Sequence, residues 1–141
     1  MEIDFTGKTV YLAAPKRILS TELYDRAFRY FLARSKGVMN PKWMFQDNED
    51  WLANYETVLA NADVMVIVTD DNFVGKGVYL EYNHFFSRHC KIYYYLENEF
   101  SHYDDDENPY TGENYLAEIV LVKRLEIEDV DNWKDYAVVK Y

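Results

Sequence analysis

The sequence predicts an α/β protein in which a mostly parallel sheet is flanked by helices. Short apolar runs rich in β-branched residues alternate with segments whose apolar residues recur at helical spacing, in the order β-α-(β)-α-β-α-β. Inside "DVMVIVT", residues 63–69, five apolar residues follow one another, which is typical of a strand covered on both faces. Strands separated by helices in this way favour parallel pairing, with the helices packed on the sheet.

The first half of the chain contains one clear strand and one clear helix. The apolar run "KTVYLAA", residues 8–14, predicts the first strand. Ser20 or Thr21 can cap the helix that follows, and Gly37 is a plausible stop for it. The stretch "VMNPKWMF" is a candidate second short strand, although Pro41 is unusual inside one.

The second half continues the alternation. A helix is expected from about Asn48 or Asp50, and another over about residues 78–88, before the strand "KIYYYL". The acidic, turn-rich residues 97–114 predict a long loop, and residues 117–128 predict one strand or two before a short C-terminal helix. No repeat or linker interrupts the 141 residues, so we expect a single domain. The apolar face expected for the first of these helices consists of Trp51, Tyr55, Val58, Leu59 and Ala62.

The composition argues against several classes of partner. A net charge of −10 disfavours nucleic acid, whose phosphates need a concentrated basic surface, and it equally disfavours anionic membranes. No apolar run approaches the roughly 20 residues that span a bilayer. Cys90 is the single cysteine, so no internal disulfide can form, and the expected location is the cytoplasm. Glu81 and His84 share a helix face, but without a second such pair we predict neither a metal nor a cofactor.

Aromatic residues make up 18% of the chain, and 14 of them are tyrosines. Tyrosine suits wet pockets and subunit interfaces, although core packing could account for many of these residues. Together with the apolar tail "DYAVVKY", the aromatic excess predicts more apolar surface than one small domain can bury. We therefore expect a homo-oligomer, at least a dimer.

Two strand ends are candidates for a ligand site, because ligands in parallel α/β sheets bind beyond the carboxyl ends of the strands. One end is "YLAAPKR" and the other is "TDDNFVGKG". Gly75 and Gly77 in the second would let the backbone approach a ligand closely. Their G-x-G spacing matches neither a dinucleotide fingerprint nor a phosphate-binding loop, and a plain turn from strand to helix is the alternative.

Glu81 stands among aromatic residues shortly after these glycines. At the start of the predicted helix, the helix dipole would favour its ionised form and lower its pKa. Acidic residues are also common in first turns for stability alone. Its position therefore leaves two interpretations open, a helix-stabilising charge or a catalytic carboxylate.

Three segments together resemble the nucleoside 2-deoxyribosyltransferase-like family, which includes deoxynucleoside-monophosphate N-glycosidases. They are "VYLAAP", "LANADVMVIVTD" and "GKGVYLEYNHFFSRHCKIYYY", and the resemblance covers about residues 8–96. It implies a small doubly wound, three-layer fold of the flavodoxin or Rossmann-like kind. It also implies cleavage or transfer at the N-glycosidic bond of a 2′-deoxynucleoside or its 5′-monophosphate, without a cofactor. By this resemblance Glu81 is the nucleophile, and Tyr11 orients its carboxylate.

The chain departs from the family pattern near the leaving base. Tyr55 stands where the family usually has an aspartate, and Gly75 stands where it has an acidic or small hydroxyl residue. The loop before Glu81 is also longer, so Asp70 or Asp71 is the candidate for the missing catalytic carboxylate.

The remaining expected contacts surround the substrate. Lys16 and Arg17 could hold a phosphate, although solvated surface cations are the commoner explanation of such a pair. Phe73 could stack on the base, and so could Tyr79 unless it belongs to the core. The full set of expected substrate-binding residues is Ala13, Lys16, Arg17, Tyr55, Phe73, Gly75 and Gly77.

Two other functions stay open. The first is a catalytically inactive nucleotide-binding sensor or sequestering protein on the same fold, which the missing aspartate would permit. The second is an interaction module whose tyrosines face protein partners. Release of free base from deoxynucleosides would distinguish an enzyme from both.

Overall fold

The computed structural model describes residues 4–69, 73–74, 76–95, 119–121 and 126–127, and it has the predicted α/β architecture. The elements are β1 (Thr9–Ala13), α1 (Lys16–Leu19), α2 (Glu22–Leu32), β2 (Gly37–Met39), α3 (Pro41–Met44), α4 (Asn48–Leu59), β3 (Val64–Val68), β4 (Phe73–Val74), α5 (Lys76–Ser87), β5 (Lys91–Tyr95), β6 (Ile119–Leu121) and β7 (Glu126–Ile127). Four strands pair in parallel in the order β2-β1-β3-β5, and β6 adds an antiparallel edge. The prediction of a mostly parallel, doubly wound sheet is confirmed.

The strand order creates a switch point between β1 and β3. From β1 the chain moves outwards to β2, and then returns past β1 to form β3 on its other side. The register pairs Ala13 with Ile67, so both strands end at the same edge of the sheet. Ligands of open α/β sheets bind in the crevice at such a point.

Both faces of the sheet are covered by helices because alternate residues of each strand point to opposite sides. Val10 and Leu12 pack on one face with residues of α1 and α2, whereas Tyr11 and Ala13 pack on the other with residues of α4 and α5. All five residues of β3 are buried, as its continuous apolar run predicted. Burial of each large apolar side chain contributes about 1.5–3 kcal/mol.

The predicted end of α2 at Gly37 is wrong. The helix begins after Thr21, whose hydroxyl caps it by accepting a bond from the Tyr24 amide, but it ends at Leu32. The Ser35 hydroxyl then donates to the Phe31 carbonyl oxygen at 2.7 Å, so the helix end needs no glycine. Gly37 instead opens β2.

The candidate strand around Pro41 is shorter than its sequence suggested. β2 ends at Met39, and Pro41 is the first residue of α3, where a missing N–H costs nothing. Asn40 caps α3 by accepting a bond from the Lys42 amide. The proline thus ends the strand and starts a helix.

The helix α5 begins earlier than predicted. It starts at Lys76, two residues before the expected residue 78, and Gly77 lies inside it. Glu81 is consequently in the second turn, and the expectation that it lies in the first is wrong. Because α5 follows the carboxyl end of β3 and runs back towards β5, its first turns lie at the edge of the sheet where ligands of such folds bind.

Arg88, just after α5, ties this helix to α4. Its guanidinium donates to the carbonyl oxygens of Leu59, Ala60 and Ala62 at 3.1–3.3 Å. These carbonyls lie at the end of α4 or just beyond it, where helix carbonyls lack intrahelical partners. These hydrogen bonds hold the end of α5 against the end of α4.

Several expectations concern residues outside the described part of the chain. They are the acidic loop at residues 97–114 and the C-terminal helix after residue 128. Within residues 117–128 the two-strand alternative is confirmed, since this stretch contains both β6 and β7. β7 pairs in parallel with β4, immediately before α5. Among the described residues, no helix has the length and apolar character needed to cross a membrane.

Candidate functional site

The candidate site is centred on the Glu81 carboxyl, which is buried between α5 and the sheet. Its side chain is only 3% exposed. Asn40 and Thr69 are the other buried polar residues in the described part of the chain, so Glu81 is the ionisable member of this group. A buried carboxyl is costly unless it is neutral or hydrogen-bonded, and it therefore needs an explanation.

Two hydrogen bonds converge on one oxygen of this carboxyl. The Tyr11 hydroxyl donates to Oε2 at 2.5 Å, and the Trp51 indole Nε1–H donates to the same atom at 2.8 Å. The first distance lies in the range of O–H···O bonds to ionised carboxylates. The described residues supply no hydrogen bond to Oε1. Among the described residues, the two donors thus hold the carboxyl by its Oε2 atom.

Tyr11 reaches the carboxyl because β1 presents it on the face that α5 covers. Its ring is stacked on Phe85 with centroids 5.9 Å apart and planes 3° from parallel. Phe85 follows Glu81 by one helical turn, so both side chains lie on the same face of α5. The stack therefore fixes the Tyr11 ring beside the carboxyl.

Trp51 reaches the carboxyl from α4. Its ring is fully buried and stacks on Tyr55, one turn further along α4, with centroids 4.9 Å apart. A buried indole N–H needs an acceptor, and Glu81 provides it. Glu81 is thus held by donors from two other elements, β1 and α4.

Burial raises the pKa of Glu81, whereas the hydrogen bonds from Tyr11 and Trp51 lower it. The effect of burial is the larger, and the pKa rises from its ordinary value of 4.5 to about 7. The expected lowering by the helix dipole is therefore wrong. Glu81 lies in the second turn of α5, where the dipole is weak, and burial dominates. Near neutral pH the carboxyl is poised between its two protonation states, a property that is common in active sites.

Tyr55 lies beside this site and stacks on Trp51, which is one of the two residues that donate a hydrogen bond to the carboxyl. Tyr55 is half-buried and meets the His84 ring edge-on at 6.2 Å. Burial raises the pKa of Tyr55, and the charges of Glu56 and Glu81 add to the effect. Among the described residues, Tyr55 contributes to the site by stacking on the Trp51 ring.

His84 follows Glu81 by three residues on α5. Its Nε2 atom is buried and has no hydrogen-bond partner among the described residues. Burial lowers the pKa of His84, and the Arg88 charge lowers it further. The lowered pKa favours the neutral imidazole. The described residues contain no group of three or more possible metal ligands.

The other expected site residues fall at the same edge of the sheet or outside the described chain. Ala13 is buried at the end of β1, and Gly77 is buried in the first turn of α5. Lys16 is half-buried and Arg17 is exposed, both in α1 just beyond β1. Phe73 lies in β4, where only the backbone is described, and Asp70, Asp71 and Gly75 lie outside the described residues.

Trp51 is the residue that sequence reasoning missed. The sequence predicts that Trp51 lies on the apolar face of α4, and it does lie there. Its N–H, however, donates a hydrogen bond to Glu81. The available signal was the tryptophan itself, because a buried indole requires a hydrogen-bond acceptor. The identity of that acceptor depends on how α4 and α5 pack together.

The fold and the site define a small doubly wound α/β protein with a buried, doubly hydrogen-bonded carboxyl between α5 and its parallel sheet. No protein-family model, curated protein or solved structure gives a significant match to the chain.

Proposed function

We propose that this protein cleaves the N-glycosidic bond of a 2′-deoxynucleoside or its 5′-monophosphate, or transfers the deoxyribosyl group to another base. Glu81 is the nucleophile in this proposal. The observation that carries it is the Tyr11 hydroxyl donating to a buried Glu81 carboxyl, the pairing that the family resemblance implies. We assign the reaction to the cytoplasm, the compartment expected of a chain with a single cysteine.

In the first step, a Glu81 oxygen forms a bond to the anomeric carbon while the carbon–nitrogen bond to the base breaks. Because Oε2 already accepts two hydrogen bonds, Oε1 is the oxygen suited to attack. The electron pair of the broken bond leaves with the base, which takes up a proton. Positive charge develops on the sugar in the transition state, and a carboxylate in a buried site stabilises it strongly.

In the second step, water or another base attacks the same carbon and loses a proton, while the bond to Glu81 breaks and releases it as the carboxylate. We assign delivery of the proton to the leaving base to Asp70 or Asp71, which follow β3 in the sequence. For a monophosphate substrate, Lys16 and Arg17 are the candidate partners of the phosphate, because α1 begins just beyond the carboxyl end of β1. Neither assignment is needed for the role of Glu81.

A direct test incubates the purified chain with deoxynucleosides and with their 5′-monophosphates, each with and without a second free base. Chromatography then separates released base from newly formed nucleoside. Release alone indicates hydrolysis, and a new nucleoside indicates transfer. If no substrate yields either product, the proposed activity is wrong.

A non-catalytic nucleotide-binding protein is the second candidate, and Tyr55 is the observation that favours it. A phenol with a raised pKa stands where the family has an acidic residue, so acid catalysis at the base could be missing. Such a protein would be stabilised against heat by a deoxynucleotide without consuming it. Stabilisation without turnover would support this candidate over the enzyme.

We also propose that the protein is a homo-oligomer, for which the outer side of α5 offers a surface. Tyr79, Tyr82 and Phe86 form a ladder of rings, each with its neighbour at 5.9 Å, and Phe86 is 64% exposed. Tyr79 and Tyr82 are half-buried, so Phe86 is the exposed ring of the ladder, and aromatic residues are enriched at protein interfaces.

We predict a particle mass of at least twice 16.9 kDa at micromolar concentration, measured by light scattering. Phe86→Glu should shift the mass towards that of the monomer, because it introduces a charge into the aromatic ladder. Leu32→Glu is the matched control, since Leu32 is 52% exposed on α2 and lies on the opposite side of the sheet. A monomeric wild-type protein would contradict the proposal.

A further inference from the structure

The Trp51 indole is placed to act on Glu81 rather than only to fill space. Trp51 belongs to α4, whereas Glu81 belongs to α5. The indole is fully buried, and its Nε1 atom lies 2.8 Å from Oε2 of Glu81. Its ring is fixed by stacking on Tyr55 with planes 16° from parallel. A donor with so little freedom holds its acceptor in one orientation.

We propose that Trp51 is a positioning residue for Glu81, sharing Oε2 with the Tyr11 hydroxyl so that Oε1 faces the reacting carbon. This inference rests on the proposed function. With one donor the carboxyl could rotate about its last bond and exchange its two oxygens. Two donors from different directions oppose that rotation, and positioning of a reacting group to within a fraction of an ångström is worth large factors in rate.

The second donor also affects the charge state of the carboxyl. A hydrogen bond donated to an ionised carboxylate stabilises the ionised form, so loss of the Trp51 donor should raise the pH at which Glu81 ionises. Among the described groups that titrate, Tyr11 faces the site from β1 and Tyr55 from α4, while His84 follows one turn along α5. Replacement of the indole by a benzene ring leaves the chemistry of these three groups unchanged.

The test compares Trp51→Phe with wild type across the pH range. Phenylalanine keeps an aromatic ring to stack on Tyr55 and removes the N–H. We expect the rising limb of base release to move up by about one pH unit, which is about a tenfold loss of rate below the limb. Trp43→Phe is the matched control, because Trp43 is 71% exposed and contacts Phe28, away from Glu81.

A purely structural role for Trp51 would lower the melting temperature and leave the limb where it is in wild type. That result would overturn the inference. The control variant should show neither change.

A second measurement does not depend on turnover. In wild-type protein, the indole N–H resonance of Trp51 should shift with pH as Glu81 ionises, with a midpoint near 7. The resonance is assigned by its absence from Trp51→Phe, and its titration should disappear in Glu81→Gln. An indole signal that does not titrate would overturn the inference even if base is released. A titrating signal without base release would retain the contact and reject the proposed function.

Discussion

Replacing Glu81 by glutamine is expected to abolish release of base from deoxynucleosides while the chain stays folded. The amide keeps the shape of the side chain and can still accept the hydrogen bonds from Tyr11 and Trp51. It cannot attack the anomeric carbon or balance the positive charge that develops there. Loss of a covalent catalyst costs several orders of magnitude in rate, each factor of ten being about 1.4 kcal/mol of barrier. Chromatography of released base measures the rates, and circular dichroism confirms the fold.

Two further variants serve as a control and a comparison for this loss of rate. Glu49→Gln removes an exposed carboxylate from the first turn of α4 and should leave the rate unchanged. Tyr11→Phe removes a donor but keeps the carboxylate, so its loss should be milder than that of Glu81→Gln. Base release at the wild-type rate by Glu81→Gln would leave Glu81 without a catalytic role.

The same substitution should make the protein more stable above neutral pH. The folded protein holds the Glu81 proton up to about pH 7, whereas the unfolded chain loses it near 4.5. Between these values the folded state binds more protons, so the contribution of Glu81 to stability is full below about 4.5. It is lost as pH rises through about 7, and the loss amounts to about 3 kcal/mol. Glutamine does not ionise, so Glu81→Gln avoids this loss of stability.

Urea unfolding of both proteins at about pH 5 and about pH 8 measures this effect. Other titrating groups are common to the two proteins and cancel in the difference between them. We expect the stability of Glu81→Gln relative to wild type to rise by about 2.5 kcal/mol between these two pH values. An equal difference at both pH values would mean that Glu81 is already ionised in the folded protein at about pH 5. Retention of a carboxylate that costs stability at working pH is a common property of active sites.

The fold could be predicted from sequence because its strongest signals are local. The five apolar residues of β3 and the capped, amphipathic α2 indicate their own structure without reference to the rest of the chain. Strand order and the antiparallel pairing of β6 were not predicted, because both depend on contacts between distant segments. The sequence predicts the start of α5 two residues too late, because Gly77 suggests a loop. In the structure Gly77 lies in the first turn of the helix.

The site was predicted in part. The Tyr11–Glu81 pair was expected from the family resemblance, and the structure brings the two side chains into contact. The direction of the Glu81 pKa shift was predicted wrongly, because sequence shows the place of a residue along a helix but not its depth in the core. Trp51 was missed for the same reason. Its apolar spacing is evident in sequence, and the acceptor of its N–H is a property of the packed structure.

The most direct test of Glu81 as a nucleophile follows the sugar rather than the base. When the protein cleaves a deoxynucleoside in water containing methanol, two successive displacements should give a methyl deoxyriboside with the configuration of the starting nucleoside. Nuclear magnetic resonance of the first product formed distinguishes the two anomers. Retention of configuration is the predicted result. Inversion would mean that the solvent attacks the sugar directly and would contradict a covalent intermediate on Glu81.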